Sequence, residues 1–118
     1  MQIINGSKDI IGHFLVSVAN NDKDMENGLM WVNDLPKNYG MIFEFKKEQM
    51  VFMWMKNTKI PLDMLFIDDD GKIVNIKKLA QPESLDIISS TKPVKKVLEI
   101  NGGLSDQLGI EIGDQIRY

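Results

Sequence analysis

The sequence has no cysteine, one histidine and one arginine among its 118 residues. Without cysteine there is no disulfide, no thiolate metal site and no cysteine nucleophile. A lone histidine, His13, leaves no two-histidine metal site within the chain, and on a strand it reads as a half-exposed packing residue. A lone arginine, Arg117, all but removes the bidentate guanidinium fork that grips phosphate and carboxylate. No apolar run is long enough to span a bilayer, and no leader peptide is visible at the start of the sequence. A glycine-rich phosphate loop, a dinucleotide fingerprint, a G-x-S-x-G elbow and a zincin motif are all missing, as are repeats and low-complexity tracts. The net charge of −3 opposes binding to nucleic-acid backbones or anionic membranes, which attract basic surfaces.

What is present is an ordinary globular composition, 43% hydrophobic and 26% charged. The length suits one domain over residues 1–118 with a sizeable core. The most apolar stretch covers residues 52–67, and a polar knot interrupts it. Residues 51–56 predict a buried strand, with Phe52, Trp54 and Lys56 on one face and Val51, Met53 and Met55 on the other. Lys56-Asn57-Thr58-Lys59 breaks the run, and Pro61 favours extended geometry at Ile60. Residues 62–67 predict a second buried strand that carries Asp63 among apolar neighbours. A carboxylate so placed needs donors, and Lys56, Asn57 and Thr58 are the nearest in sequence.

Elsewhere, strands are expected at residues 2–4, 10–18, 41–45, 72–79, 94–100 and 110–117. Asn5-Gly6 and Asp70-Gly71 are hairpin signals. Residues 22–27 predict a short helix behind Asn21 with Gly28 as its C-terminal cap, and residues 101–108 a second. Residues 80–93 form the longest irregular stretch, of the kind that often walls a site. Many short strands separated by turn signals predict a mainly β domain, a β-sandwich or small barrel with short peripheral helices.

The central segment Met53-Trp54-Met55-Lys56-Asn57-Thr58, followed two residues on by Pro61-Leu62-Asp63, resembles the signature of domain of unknown function (DUF) family 192. Gly28-Leu29-Met30, Gly40-Met41-Ile42-Phe43, Val97-Leu98-Glu99-Ile100-Asn101-Gly102-Gly103 and Gly109-Ile110-Glu111-Ile112-Gly113-Asp114 extend the resemblance along the chain. Met53 stands where the family usually has Phe, and Val32 where members often carry Arg two positions after Gly-Leu-Met. The resemblance implies a mainly β domain, often exported to the periplasm or beyond, and no agreed activity.

The candidate ligand-binding residues are Trp54, Lys56, Asn57, Thr58, Asp63 and Glu99. Lys56 can meet an anionic or carbonyl group, Asn57 and Thr58 offer donors and acceptors, and Asp63 an acceptor or base. The competing reading is a satisfied structural knot with Asp63 paired to Lys56. Glu99 lies in an apolar run and, pointing inward beside Asp63, would make a carboxylate pair suited to acid/base hydrolysis. Asp68-Asp69-Asp70-Gly71 starts like a calcium loop but lacks the glycine and glutamate the loop needs downstream. Met50, Met53, Met55 and Met64 suggest core filling ahead of a soft-metal site. Trp31 and Tyr39 offer a sugar-stacking or partner surface. The sequence thus favours a monomeric, non-enzymatic module for a small polar ligand or a protein segment, with no cofactor, metal, nucleic acid or membrane insertion. A hydrolase using Asp63 and Glu99 and a protein-interaction domain are the alternatives.

Overall fold

Side-chain alternation along one strand splits the interior into two cores. The computed structural model describes residues 1–118. Its strands are β1 (Gln2–Ile4), β2 (Ile10–His13), β3 (Leu15–Ala19), β4 (Tyr39–Gln49), β5 (Phe52–Met53), β6 (Leu62–Ile67), β7 (Ile73–Ala80), β8 (Ile88–Ser89), β9 (Val94–Asn101) and β10 (Gln115–Arg117). Two helices, α1 (Asp22–Asn27) and α2 (Leu104–Leu108), complete the set. Strand β6 is buried at every residue. It sits between β9 and β7 in a five-stranded sheet of order β3-β4-β9-β6-β7. Leu62, Met64 and Phe66 face one core with Phe43 and Val97. Leu65 and Ile67 face the other with Ile42, Leu98 and Ile100.

Each face has its own cover. The first packs against Ala19, Leu29, Val51 and Met55, contributed by the strand entering α1, the segment after it, and the residues around β5. The second packs against Ile3 of the three-stranded sheet β10-β1-β2, Phe14 in the link between β2 and β3, Leu104 of α2 and Ile110 just after it. The mainly β expectation therefore holds, as a layered arrangement whose sheets do not close into a barrel. No helix is long and apolar enough to cross a membrane.

Local chemistry sets several boundaries as the sequence implies. Asn21 caps α1 by accepting the Asp24 amide at 2.9 Å, while its own amide donates to the Asp24 carboxylate at 2.8 Å. The Gly28 amide donates back to the Asp24 carbonyl. Asp68 accepts the amides of Asp70 and Lys72, which shapes the hairpin turn between β6 and β7. Gly40 is required by close approach: a Cβ there would lie 2.7 Å from the Glu99 carbonyl oxygen on the neighbouring strand.

Three expectations need correction. The strand drawn over residues 10–18 is two strands. Phe14 is buried between them, and the chain passes from β2 in the three-stranded sheet to β3, which pairs in parallel with β4. The strand drawn over residues 51–56 is only Phe52–Met53, paired with β8 in a separate ribbon. Its face assignment survives: Val51 and Met55 are buried, Phe52, Trp54 and Lys56 exposed. The final strand is confined to Gln115–Arg117, because residues 111–114 form a turn in which Asp114 accepts the Glu111 amide.

Asp63 is the polar exception on β6, with no solvent exposure. Its Oδ1 accepts the amides of Leu79 at 2.9 Å and Gly103 at 3.1 Å. Its Oδ2 accepts the amide of Ser105 at 2.9 Å and the Ser105 hydroxyl at 2.5 Å. One carboxylate thus ties β6 to the end of β7 and to the start of α2. Removing it orphans four buried or half-buried donors at a cost of about 1–3 kcal/mol each when left unmade. Asp63→Ala is expected to lose on the order of 4 kcal/mol or more, with Asp63→Asn intermediate because its amide turns N–H toward donors. Urea unfolding of the two variants checks this; a loss below about 1 kcal/mol in Asp63→Ala would contradict the assignment.

Candidate functional site

The cleft lies on the first face of the five-stranded sheet, where the backbone leaves a gap between two covering segments. Its floor is Phe43 on β4 and Glu99 on β9. One wall is the end of α1 and the residues after it, Met25 to Met30; the other is Phe52, Met53, Trp54, Lys56 and Thr58. The enclosed volume is about 190 Å³.

The walls are tied to each other and to the loop behind. The Trp31 amide donates to the Asn57 carbonyl at 2.9 Å, joining the segment after α1 to the turn after Trp54. Both residues are left-handed, Trp31 with φ 68° and Asn57 with φ 54°. Asparagine tolerates that region, whereas a bulky residue such as Trp is held there at a cost of about 1–3 kcal/mol. Thr58 is buried; its hydroxyl donates to the Lys56 carbonyl at 3.1 Å, and its own carbonyl accepts the Glu83 amide. The Lys56 ammonium lies over the Trp54 ring, 5.1 Å from its centroid.

Glu99 is the unusual member. It is 4% exposed, and its Oε1 is sealed with no hydrogen-bond partner. Neither ion pair in the molecule includes it, for these join Lys78 to Asp106 and Lys96 to Glu44. Burial alone pushes its carboxyl up to about 8. Gly28 lies beside it: a Cβ there would stand 3.7 Å from Oε1 and 3.3 Å from the Phe43 ring. Gly28 adopts φ 50° and ψ −129°, a conformation open to glycine. The glycine that ends α1 thus brings its backbone close over the carboxyl and the Phe43 ring.

Of the residues singled out in the sequence, Trp54, Lys56, Thr58 and Glu99 line this cleft. Asn57 does not line it and acts through its carbonyl, which accepts the Trp31 amide. Asp63 is not in the cleft: both of its oxygens are taken by the end of β7 and by Gly103 and Ser105, not by Lys56, Asn57 or Thr58. The proposed Asp63–Glu99 carboxylate pair is also ruled out by register. Met64 pairs with Glu99 and Asp63 with Ile100 across antiparallel β6 and β9, so the two carboxylates project from opposite faces of the sheet. The stretch over residues 80–93 is not a cleft wall. It packs behind the ribbon through β8, and the wall it was expected to form is built by Met25 to Met30 instead. The only sign of that wall in the sequence is the helix-ending Gly28. Met55 and Met64 fill the core, while Met25, Met30 and Met53 line the cleft. Trp31 and Tyr39 are exposed, Trp31 beneath the Lys59 ammonium at 5.8 Å.

The chain belongs to DUF family 192, described as an uncharacterized family; the family model matches residues 3–118. No curated protein matches the chain. Two crystal structures are similar. One is a provisionally assigned transcription regulator from Sinorhizobium meliloti 1021, 42% identical, with a TM-score of 0.93 over 97% of this chain and 88% of that one. The other is a protein of unknown function from Novosphingobium aromaticivorans DSM 12444, 34% identical, with a TM-score of 0.92 over 99% of this chain and 82% of that one.

The raised Glu99 carboxyl makes stability depend on pH. Between about 4.5 and about 8 the unfolded chain has lost this proton and the folded chain keeps it. Folding is therefore favoured by the group below that window and progressively less so as pH rises through it, with a slope of up to about 1.4 kcal/mol per pH unit. Glu99→Gln is expected to flatten this descent. Denaturant titrations of both proteins across the window check it; parallel curves would contradict it.

Proposed function

We propose that this member of DUF family 192 is a binding module that takes a small polar ligand into the Glu99 cleft without acting on it chemically. One observation carries the reading: a carboxyl oxygen sealed from water and left without a partner beside an open cleft. Burying a polar atom without a hydrogen bond costs about 1–3 kcal/mol. A fold that keeps it there gains from whatever supplies the missing partner. The walls support the reading, since aromatic and methionine side chains alternate there with the polar Glu26, Asn27, Lys56 and Thr58, and convergent polar groups on an apolar lining orient a ligand. The strained Trp31 follows directly on the wall that ends at Met30, and its amide braces that wall to Asn57.

Catalysis finds less support. Hydrolysis by Asp63 and Glu99 is excluded by register, and the second carboxylate that does line the cleft, Glu26 near the end of α1, is exposed. The provisional regulator among the similar structures does not redirect the reading to nucleic acid. A net charge of −3 and a single arginine leave little to neutralise phosphates.

Glu99→Leu tests the reading. With the orphaned oxygen gone, the variant is expected to be more stable than wild type by about 1–3 kcal/mol at neutral pH. It is also expected to lose thermal shifts that a pool of small polar metabolites produces in wild type. A variant less stable than wild type, together with a pool that shifts neither protein, would make Glu99 a structural residue and end the proposal.

A further inference from the structure

We infer that the ligand of the Glu99 cleft is a small organic cation, an ammonium or amidinium head on a short apolar body. This rests on the binding reading above and narrows it by the charge and surface of the lining. Glu99 and Glu26 both line the cleft, and Lys56 is its one cationic residue. The Lys56 ammonium is placed over the Trp54 ring and forms no ion pair with either carboxylate. The protein therefore leaves the countercharge of the buried carboxyl to be supplied from outside.

The other surfaces favour the same sign. Phe43, Phe52 and Trp54 offer ring faces, whose quadrupole attracts cations. Met25, Met30 and Met53 add polarizable sulfur. Helix α1 meets the cleft at its C-terminal end, where partial negative charge collects, although six residues make this a small contribution. An anion would face the Glu26 carboxylate, with the one lysine of the lining already placed over the Trp54 ring. Size sets the body: about 190 Å³ is below the ~300–1,000 Å³ of common ligand pockets, so the occupant is a few heavy atoms or the tip of a longer chain.

Binding then carries a proton with it. In the empty cleft the Glu99 carboxyl is neutral at neutral pH; the arriving cation favours the carboxylate, and the proton leaves to solvent. The ligand keeps its charge, and one positive charge replaces another beside Oε1. The neighbours on β4 and β6, Phe43, Met41 and Met64, do not titrate. Glu26 and Lys56 are the other titratable groups sharing the cleft. Affinity for a permanently charged cation should rise roughly tenfold per pH unit below the carboxyl's own range and level off above it.

Isothermal titration calorimetry with butylguanidinium and n-butylammonium, against the neutral probes 1-pentanol and pentanamide, tests this from about pH 6 to about pH 9 in buffers of different ionisation heat. Both cations are expected to bind more tightly than the neutral probes, with release of close to one proton at the acid end. Glu99→Gln should remove the pH slope and the proton release. Lys56→Ala should strengthen, and Glu26→Gln weaken, cation binding by roughly two- to fivefold, since each changes one exposed charge. Neutral probes binding as tightly as cations, with no pH slope, would overturn the cation assignment and leave the binding module standing. Cations failing to bind while another member of the metabolite pool shifts wild type but not Glu99→Leu would do the same. A pool and probes that all fail, with Glu99→Leu no more stable, would remove the underlying reading as well.

Discussion

The architecture depends on a carboxylate that has everything and, across the same sheet, sits back to back with one that has nothing. Asp63 accepts four donors from two separate parts of the chain, the end of β7 and the opening of α2. These contacts fix the start of β6, and with it the register that β6 imposes on β7 and β9. Ionic hydrogen bonds from fixed amides are short and directional, so this corner is a point of reference for the sheet. Glu99 occupies the adjoining strand one register step away and projects to the opposite side. The difference between them follows from the parity of a pleat. The residue facing α2 finds amides that need an acceptor, while the residue facing α1 finds ring carbon, thioether and a glycine.

The parity was readable before the structure; the partners were not. Alternation in residues 51–56 assigned the inward and outward side chains correctly, because a period of two is local, and residues 62–67 read as the buried strand they are. That Asp63 needed donors also followed from its apolar setting. Proximity in sequence pointed to Lys56, Asn57 and Thr58, yet the donors come from residues 79, 103 and 105. Strand pairing brings together groups far apart along the chain, and no local pattern records it. The same reason explains the ribbon: residues 51–56 have the composition of a core strand, but Thr58, Glu83 and Ser84 draw the chain into backbone hydrogen bonds outside the main sheet. The cleft was half legible. Four of the six candidate residues line it, and the wall formed by Met25 to Met30 was hidden because a short helix with a glycine cap looks the same whether it faces a cleft or solvent.

Strain and vacancy coincide on the first face. Trp31 is held left-handed by the bond from its amide to Asn57, and that bond fixes the distance between the walls. Such a brace opposes collapse of the cleft onto Glu99, which hydrophobic contact between Met25, Met53 and Phe43 would otherwise favour. Pre-formed apertures of this kind lower the ordering cost of binding. The core beneath is continuous with the cleft floor, since Phe43 belongs to both, and β6 and β9 are buried along most of their length.

The first and last strands lie side by side: Gln2 pairs with Arg117 and Ile3 with Ile116. The three-stranded sheet is the lid over Leu65, Ile67, Leu98 and Ile100. During synthesis, then, the five-stranded sheet can assemble while its second face is still bare, for the lid is stitched only when the final strand has left the ribosome. Until that moment a continuous apolar surface is open to other chains. That interval, in which long-range pairing is still awaited, is when a copy is most prone to aggregate.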